Sequence, residues 1–181
     1  HASFPLCLLL REKGYNVPIT THLEINPENG IYCTTGSLGH GLPLATGMAL
    51  GRKFQQKKGL IYVMISDGEC QEGTTWESLL IAAKHKLDNL IVVVDYNKIQ
   101  ALSRLKDALP LANLFKKFKA FNWNCIVACS AVYRIWSIEH NLSVMVHSPM
   151  VLGLKTDLEI PQTCQTKPTT IMDSSIVEWV L

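Results

Sequence analysis

The chain is 181 residues long, which suits one domain or slightly more. At 48% hydrophobic and 18% charged residues it is too apolar for an intrinsically disordered chain. The 17 basic and 15 acidic residues leave a formal charge of +2, without the dense basic stripe of a nucleic-acid-binding protein, and 11 glycines and 8 prolines exclude collagen-like and low-complexity classes.

Phe4-Pro-Leu-Cys-Leu-Leu-Leu10 has no basic flank before it and runs straight into Arg11-Glu-Lys13. It reads as a poor signal peptide, and no apolar run approaches the roughly 20 residues that span a bilayer. The start at His1 rather than Met leads us to expect an N-terminal segment beyond it. The pattern predicts a helix over 6–13, stopped by Gly14. A second helix is predicted over 41–54, with Pro43 in its first turn and Ala45, Gly47, Ala49 and Gly51 leaving room for close backbone approach. Residues 60–65 and 90–94 are short, unbroken, β-branched runs, the pattern of parallel strands covered on both faces. Between them Trp76, Leu79, Leu80, Ala83 and Leu87 recur at helical spacing, with Thr74 and Glu77 placed as a capping box. Strand, helix and strand in about 35 residues form a βαβ unit. Beyond it the pattern predicts helices over 111–118 and 131–140 and strands over 123–128 and 150–154. It fades from Asp157 onward.

The cysteines (Cys7, Cys33, Cys70, Cys125, Cys129, Cys164) form no CxxC pair. They are expected as reduced, buried thiols of a cytosolic protein. Lys116, Lys117 and Lys119 are expected to be a solvated helix face.

The residues that carry chemistry lie at the predicted strand ends. Ser66-Asp67-Gly68 closes one strand and Asn97 follows the next. Adjacent parallel strands would bring both to one sheet edge, where open α/β sheets bind ligands. A carboxylate, an amide oxygen and a nearby backbone carbonyl are hard oxygen donors, suited to Mg2+ or Ca2+ shared with phosphate oxygens and water. Gly68 would let a phosphate approach the backbone. The competing reading is a plain Asp-Gly turn with Asn97 as a loop residue. Gly36-Ser-Leu-Gly-His-Gly41 opens the 41–54 helix and could present free amides to an anion. It lacks both the Lys-Ser/Thr ending of a P-loop and the dinucleotide glycine pattern.

Thr34-Thr-Gly-Ser-Leu-Gly-His-Gly41, Ser66-Asp-Gly-Glu-Cys-Gln-Glu-Gly73, Leu87-Asp-Asn-Leu90 and Asp95-Tyr-Asn-Lys-Ile-Gln100 together resemble the N-terminal, diphosphate-binding half of transketolase, in the split form where that half is a separate subunit. The resemblance implies an α/β fold, a mostly parallel sheet with helices on both faces. It implies a diphosphate-binding domain over 1–156, incomplete at its N-terminus, and a divergent, unassigned tail over 157–181. It implies thiamine diphosphate and Mg2+ (or Ca2+) as cofactors. Asp67, the Asn97 side chain and the Ile99 carbonyl would hold the metal. Gly68 and Glu69 would face the diphosphate, and Gly36, Leu38, Gly39 and His40 would line the cofactor pocket. His1 and His22 correspond to catalytic histidines, and Lys155, in Lys155-Thr156, to a lysine near the diphosphate. Glu72 and Glu77 match acidic positions at the family's subunit interface.

Three departures stand out. Ser66 replaces the first glycine of the Gly-Asp-Gly motif, which is expected to weaken binding without abolishing it. Cys129-Ser-Ala-Val132 stands where split subunits carry Asp-Gly-His-Asp. No Lys-Gly-Lys-Gly follows Thr156. The implied activity is transfer of a two-carbon ketol unit between sugar phosphates. It would need a pyrimidine-binding partner subunit in a cytoplasmic hetero- or homo-oligomer, with no role for nucleic acid or membrane. The alternatives are a non-catalytic homologue that keeps the fold, or another thiamine-diphosphate enzyme such as a deoxyxylulose-phosphate synthase.

Overall fold

The computed structural model describes residues 3–129, 150–155 and 177–180. The two β-branched runs form β1 (Leu60–Ser66) and β2 (Leu90–Tyr96), which pair in parallel with Ile61 opposite Leu90 and Ser66 opposite Asp95. They are joined by α3 (Gly73–Lys84), after α1 (Ser3–Glu12) and α2 (Gly41–Phe54). With β3 (Asn124–Cys129), β4 (Met150–Lys155) and β5 (Val177–Val180) they build an all-parallel sheet of order β3-β4-β2-β1-β5.

Strand side chains alternate between two cores, as the pleat requires. Ile61, Val63 and Ile65, with Leu90, Val92 and Val94, pack against Leu42, Ala45 and Ala49 of α2 and Leu79 and Ala82 of α3. Tyr62 and Ile91 face the other way, onto Leu6, Cys7, Leu9 and Leu10 of α1. Helices thus cover both faces, which is why neither strand shows a polar alternation.

Several expectations need correction. The helix expected over 111–118 starts later, as α5 (Leu114–Ala120) after left-handed Asn113 (φ 59°), and a separate short helix, α4 (Leu105–Ala108), comes before it. The capping box is not formed. Glu72 is the N-cap of α3 with no side-chain cap bond, and the Thr74 hydroxyl donates to Gly39 O at 2.7 Å. The buried face of α3 is Thr75, Ser78, Leu79 and Ala82, whereas Leu80 is 59% exposed. In α2 it is Ala45 and Ala49 that pack closely; a Cβ on Gly47 or Gly51 would meet nothing within 4 Å. Lys117 is not merely solvated, since its ammonium lies over the Trp76 ring, 6.0 Å from the centroid. The tail contributes β5, a strand too short to show a pattern. The helix expected over 131–140, and His1, lie outside the described residues.

Cys7, Cys33 and Cys70 are buried free thiols and Cys125 is half-buried. Burial pushes the Cys70 thiol well above the usual cysteine range, and the charges of Glu69 and Asp67 add to it. Since the thiolate is the reactive form, Cys70 is expected to resist alkylation in the native protein at mildly alkaline pH and to react once guanidinium unfolds it. Peptide mass mapping would read this; native labelling of Cys70 would contradict the packing.

Candidate functional site

The β1–β2 register puts two polar chain ends side by side at the carboxyl edge of the sheet. Asp67 N–H donates to Asp95 O at 3.2 Å, and Lys98 N–H donates to Asp67 Oδ2 at 2.7 Å. The second bond ties the loop after β2 to the tip of β1. Lys98 sits in the left-handed region (φ 64°). The Asn97 side chain bridges the same loop: Ile99 N–H donates to Asn97 Oδ1 at 2.8 Å, and Asn97 Nδ2 donates to Asp95 Oδ2 at 3.1 Å. Asp67 is 1% exposed. Burial raises its carboxyl above the ordinary value, the amide of Lys98 pulls it back, and Asp95 pushes it up again.

Around Gly68 the chain makes a single 3-10 turn, Glu69–Gln71. Ser66 occupies the departure from the glycine motif and is absorbed by this turn. Its N–H donates to Glu69 Oε2 at 2.8 Å, its hydroxyl lies 3.4 Å from the same oxygen, and Glu69 N–H donates to Ser66 Oγ at 3.3 Å. Burial raises the Glu69 carboxyl, opposed by the backbone amides of Ser66 and Gly39. Glu69 therefore also reaches the glycine-rich loop.

That loop docks on α3. Gly39 has φ +77°, and a Cβ there would stand 2.6 Å from Glu72 Cβ and 2.7 Å from Thr74 Oγ1. His40 precedes α2, with Nδ1 3.1 Å from both Leu38 O and Ser37 Oγ. A carbonyl can only accept, so a bond to Leu38 O needs the proton on Nδ1. Exposed His22 lies against Gly36: its Nδ1 is 3.2 Å from where a Gly36 Cβ would sit. Leu38 is half exposed on the same loop.

The structure thus brings Asp67, Gly68, Glu69, Asn97 and Ile99 to one edge. Gly36, Leu38, Gly39 and His40 join it through Glu69 and α3, and His22 joins through Gly36. Lys155 ends β4 opposite Tyr96 in register; its side chain, like all of His1, lies outside the described residues. Sequence reasoning missed Asp95, Gln71 and Gln100. Asp95 was legible as the acidic residue two before Asn97, but its partner bond was not.

Among the described residues no three His, Cys, Asp or Glu side chains cluster as metal ligands. The donor set at the strand tips is one buried carboxylate, one amide oxygen with a second lone pair, and a peptide carbonyl. These fit a hard divalent cation that takes further oxygens from a phosphate ligand and water, not a thiolate- or imidazole-bound metal. A cation would also stabilise the ionised form that burial disfavours at Asp67. Beside Asn97 and Ile99 opens a cleft of about 520 Å³ that Lys98, Arg104 and Lys106 also line. No helix among the described residues is long and apolar enough to cross a membrane.

A parallel α/β sheet with its polar residues gathered outside the carboxyl strand ends defines a ligand-binding domain of the open-sheet class. Residues 10–167 match the family described as "Transketolase, thiamine diphosphate binding domain", so the match runs past Thr156 into the segment expected to be unassigned, and the chain belongs to that family. It is 49% identical over 92 residues to an apulose-4-phosphate transketolase subunit of Actinobacillus succinogenes, covering 51% of this chain and 33% of that protein. A 6-deoxy-6-sulfo-D-fructose transketolase subunit of Clostridium sp. is 40% identical over 123 residues, covering 67% of this chain and 44% of that one. Less than half of each relative's length is therefore spanned. The crystal structure of transketolase from Campylobacter jejuni superposes with a TM-score of 0.59 at 25% identity, over 67% of this chain and 20% of that chain.

Proposed function

We propose that this chain is the diphosphate-binding half of a transketolase, acting with a pyrimidine-binding partner subunit in an oligomeric, cytoplasmic enzyme. The observation that carries the reading is the 2.7 Å bond from Lys98 N–H to Asp67 Oδ2, which joins the two strand tips beside Asn97. When bound, thiamine diphosphate supplies the carbanion chemistry by which a two-carbon ketol unit passes from a ketose phosphate to an aldose. The word "subunit" in the names of both relatives supports the partner. The terminal phosphate or sulfonate of the sugars they name supports a sugar with an anionic end.

In this reading Asp67, Asn97 Oδ1 and the Ile99 carbonyl hold Mg2+, with Ca2+ as the substitute. Gly68 admits the diphosphate to the backbone, and Glu69 holds the turn that carries Gly68 against the glycine-rich loop. Leu38, Gly39 and His40 wall the cofactor pocket. His22 stands at the substrate side, and the family resemblance assigns His1 to catalysis and Lys155 to the diphosphate. Ser66 lends the alternative of a non-catalytic homologue little support, because its hydroxyl is spent within the turn.

Calorimetric titration of thiamine diphosphate, with and without Mg2+, tests the reading on the full chain alone and with its partner subunit. Metal-dependent binding is expected; no binding in either setting would overturn it. Gly68 sharpens the test. It has φ −61° and ψ −37°, which any residue adopts, and an added Cβ would meet nothing nearer than 3.5 Å. The fold does not need glycine there, but a close phosphate does. Gly68→Ala is expected to leave the thermal midpoint unchanged or slightly raised, and to weaken diphosphate binding by about tenfold or more, the scale of forcing a methyl into a filled contact. Unaltered affinity would place the diphosphate elsewhere.

A further inference from the structure

Two glutamines given no role so far meet across the site. Gln71 ends the turn after Gly68, and its N–H donates back to Gly68 O at 3.0 Å. Gln100 directly follows Ile99, and its N–H donates to Ser103 O at 2.9 Å, closing the loop beyond β2. Their side chains join these segments: Gln100 Nε2 donates to Gln71 Oε1 at 2.8 Å, and Gln71 Nε2 donates onward to Leu109 O at 2.7 Å. Gln100 Nε2 also lies 3.5 Å from the position of a Cβ on Gly68, so its amide rests against that glycine. Both residues are half-buried.

This arrangement is costly without a return. Ordering a glutamine side chain forfeits rotamer entropy, and a water-exposed amide recovers little of that from one bond. Here two amides in series connect three segments: the Gly68 turn, the loop carrying Asn97 and Ile99, and Leu109 at the end of α4. Lys98 in this loop holds a positive φ, and its N–H donates to the Asp67 carboxylate, which a cation would recruit.

We infer that Gln71 and Gln100 form a clasp that fixes the Ile99 carbonyl and Asn97 relative to the Gly68 turn, which makes them positioning residues for the cation and the diphosphate. The inference rests on the function proposed above and deepens it. Preorganisation is the mechanism: with the clasp closed, the cation does not have to order the loop on arrival, so less of its binding free energy is lost.

The test uses the full chain with Gln71→Met, Gln100→Met and the double variant, apolar replacements of similar length. Amide hydrogen exchange without ligand is read first. Residues 98–104 should exchange about tenfold faster in each single variant, while Val63 and Val92 in the strands keep wild-type protection. Mg2+ is then titrated at saturating thiamine diphosphate. Its affinity should fall about 3- to 10-fold in each single variant, the scale of one hydrogen bond, and the double variant should be no worse than the singles, because the two residues act as one unit. Unchanged exchange in 98–104, or protection lost equally in the strands, would overturn the clasp. Wild-type Mg2+ affinity in both single variants would overturn its positioning role. Local loosening in a chain that binds no Mg2+ with thiamine diphosphate, alone or with its partner subunit, would overturn the proposed function and leave the clasp standing.

Discussion

Asp67→Asn is expected to abolish Mg2+-dependent binding of thiamine diphosphate while leaving the protein as stable as before, or more so. The two effects have one cause. Asp67 is 1% exposed, and burial, then the nearby Asp95 charge, hold its carboxyl above the ordinary value against the pull of the Lys98 amide. A carboxyl raised in the folded state binds its proton more tightly there than in the unfolded chain. Stability therefore falls as pH rises from the unfolded value through the raised folded one, and the loss persists at neutral pH. Asparagine carries no charge to bury, and its Oδ1 can still accept from Lys98 N–H. The thermal midpoint at neutral pH should hold or rise. Binding should not survive. The carboxylate is the one anionic donor of the proposed set, and outer partners of metal ligands already cost 10- to 100-fold when lost, so removing the ligand itself should cost more than about 100-fold. Calorimetric titration alongside thermal melting separates the outcomes. A variant that keeps its affinity would show that the metal sits elsewhere, and a variant that unfolds would show that Asp67 is chiefly structural.

Gly39→Ala should be the most destabilising small substitution in the glycine-rich loop. The methyl would enter at 2.6 Å from Glu72 Cβ and 2.7 Å from Thr74 Oγ1, at a backbone φ of +77°. Glu72 Cβ is anchored to the start of α3 and cannot swing aside as a long side chain's end could. The left-handed backbone adds its own cost for any L side chain. Together these come to about 3 kcal/mol, and a chain of this size should lose about 6–12 °C in thermal midpoint. The bond from Thr74 Oγ1 to Gly39 O should break as the loop lifts from α3, taking the Glu69 contact with it. Gly47→Ala is the counterpart: helical backbone and open space predict a gain of about 0.4–1 kcal/mol. Thermal melts of both variants decide the matter; an unaltered Gly39→Ala midpoint would mean that the loop does not dock as described.

Gly39 lies two residues before α2 and Gly47 inside it. The position of α3 and the left-handed backbone at Gly39 separate the one that a methyl would expel from the one that a methyl would improve. The same distinction applies to Thr74. Its spacing from Glu77 suits a capping box, but the approach of Gly39 O gives its hydroxyl a better-placed acceptor, and local capping yields to a tertiary bond.

What the amino-acid order determined by itself was the frame: β1, β2, the 41–54 helix, and the pairing of Asp67-Gly68 with Asn97 as strand-end residues. Those features are local, because strands buried on both faces must be apolar throughout and turn residues must follow them. Tertiary structure alone decided the rest. A four-residue strand such as β5 exists through its pairing with β1, and the buried face of α3 depends on which neighbours arrive. The bond from Lys98 to Asp67 and the meeting of Gln71 with Gln100 join groups 31 and 29 residues apart. They depend on strand register, a property of two segments together that neither encodes alone.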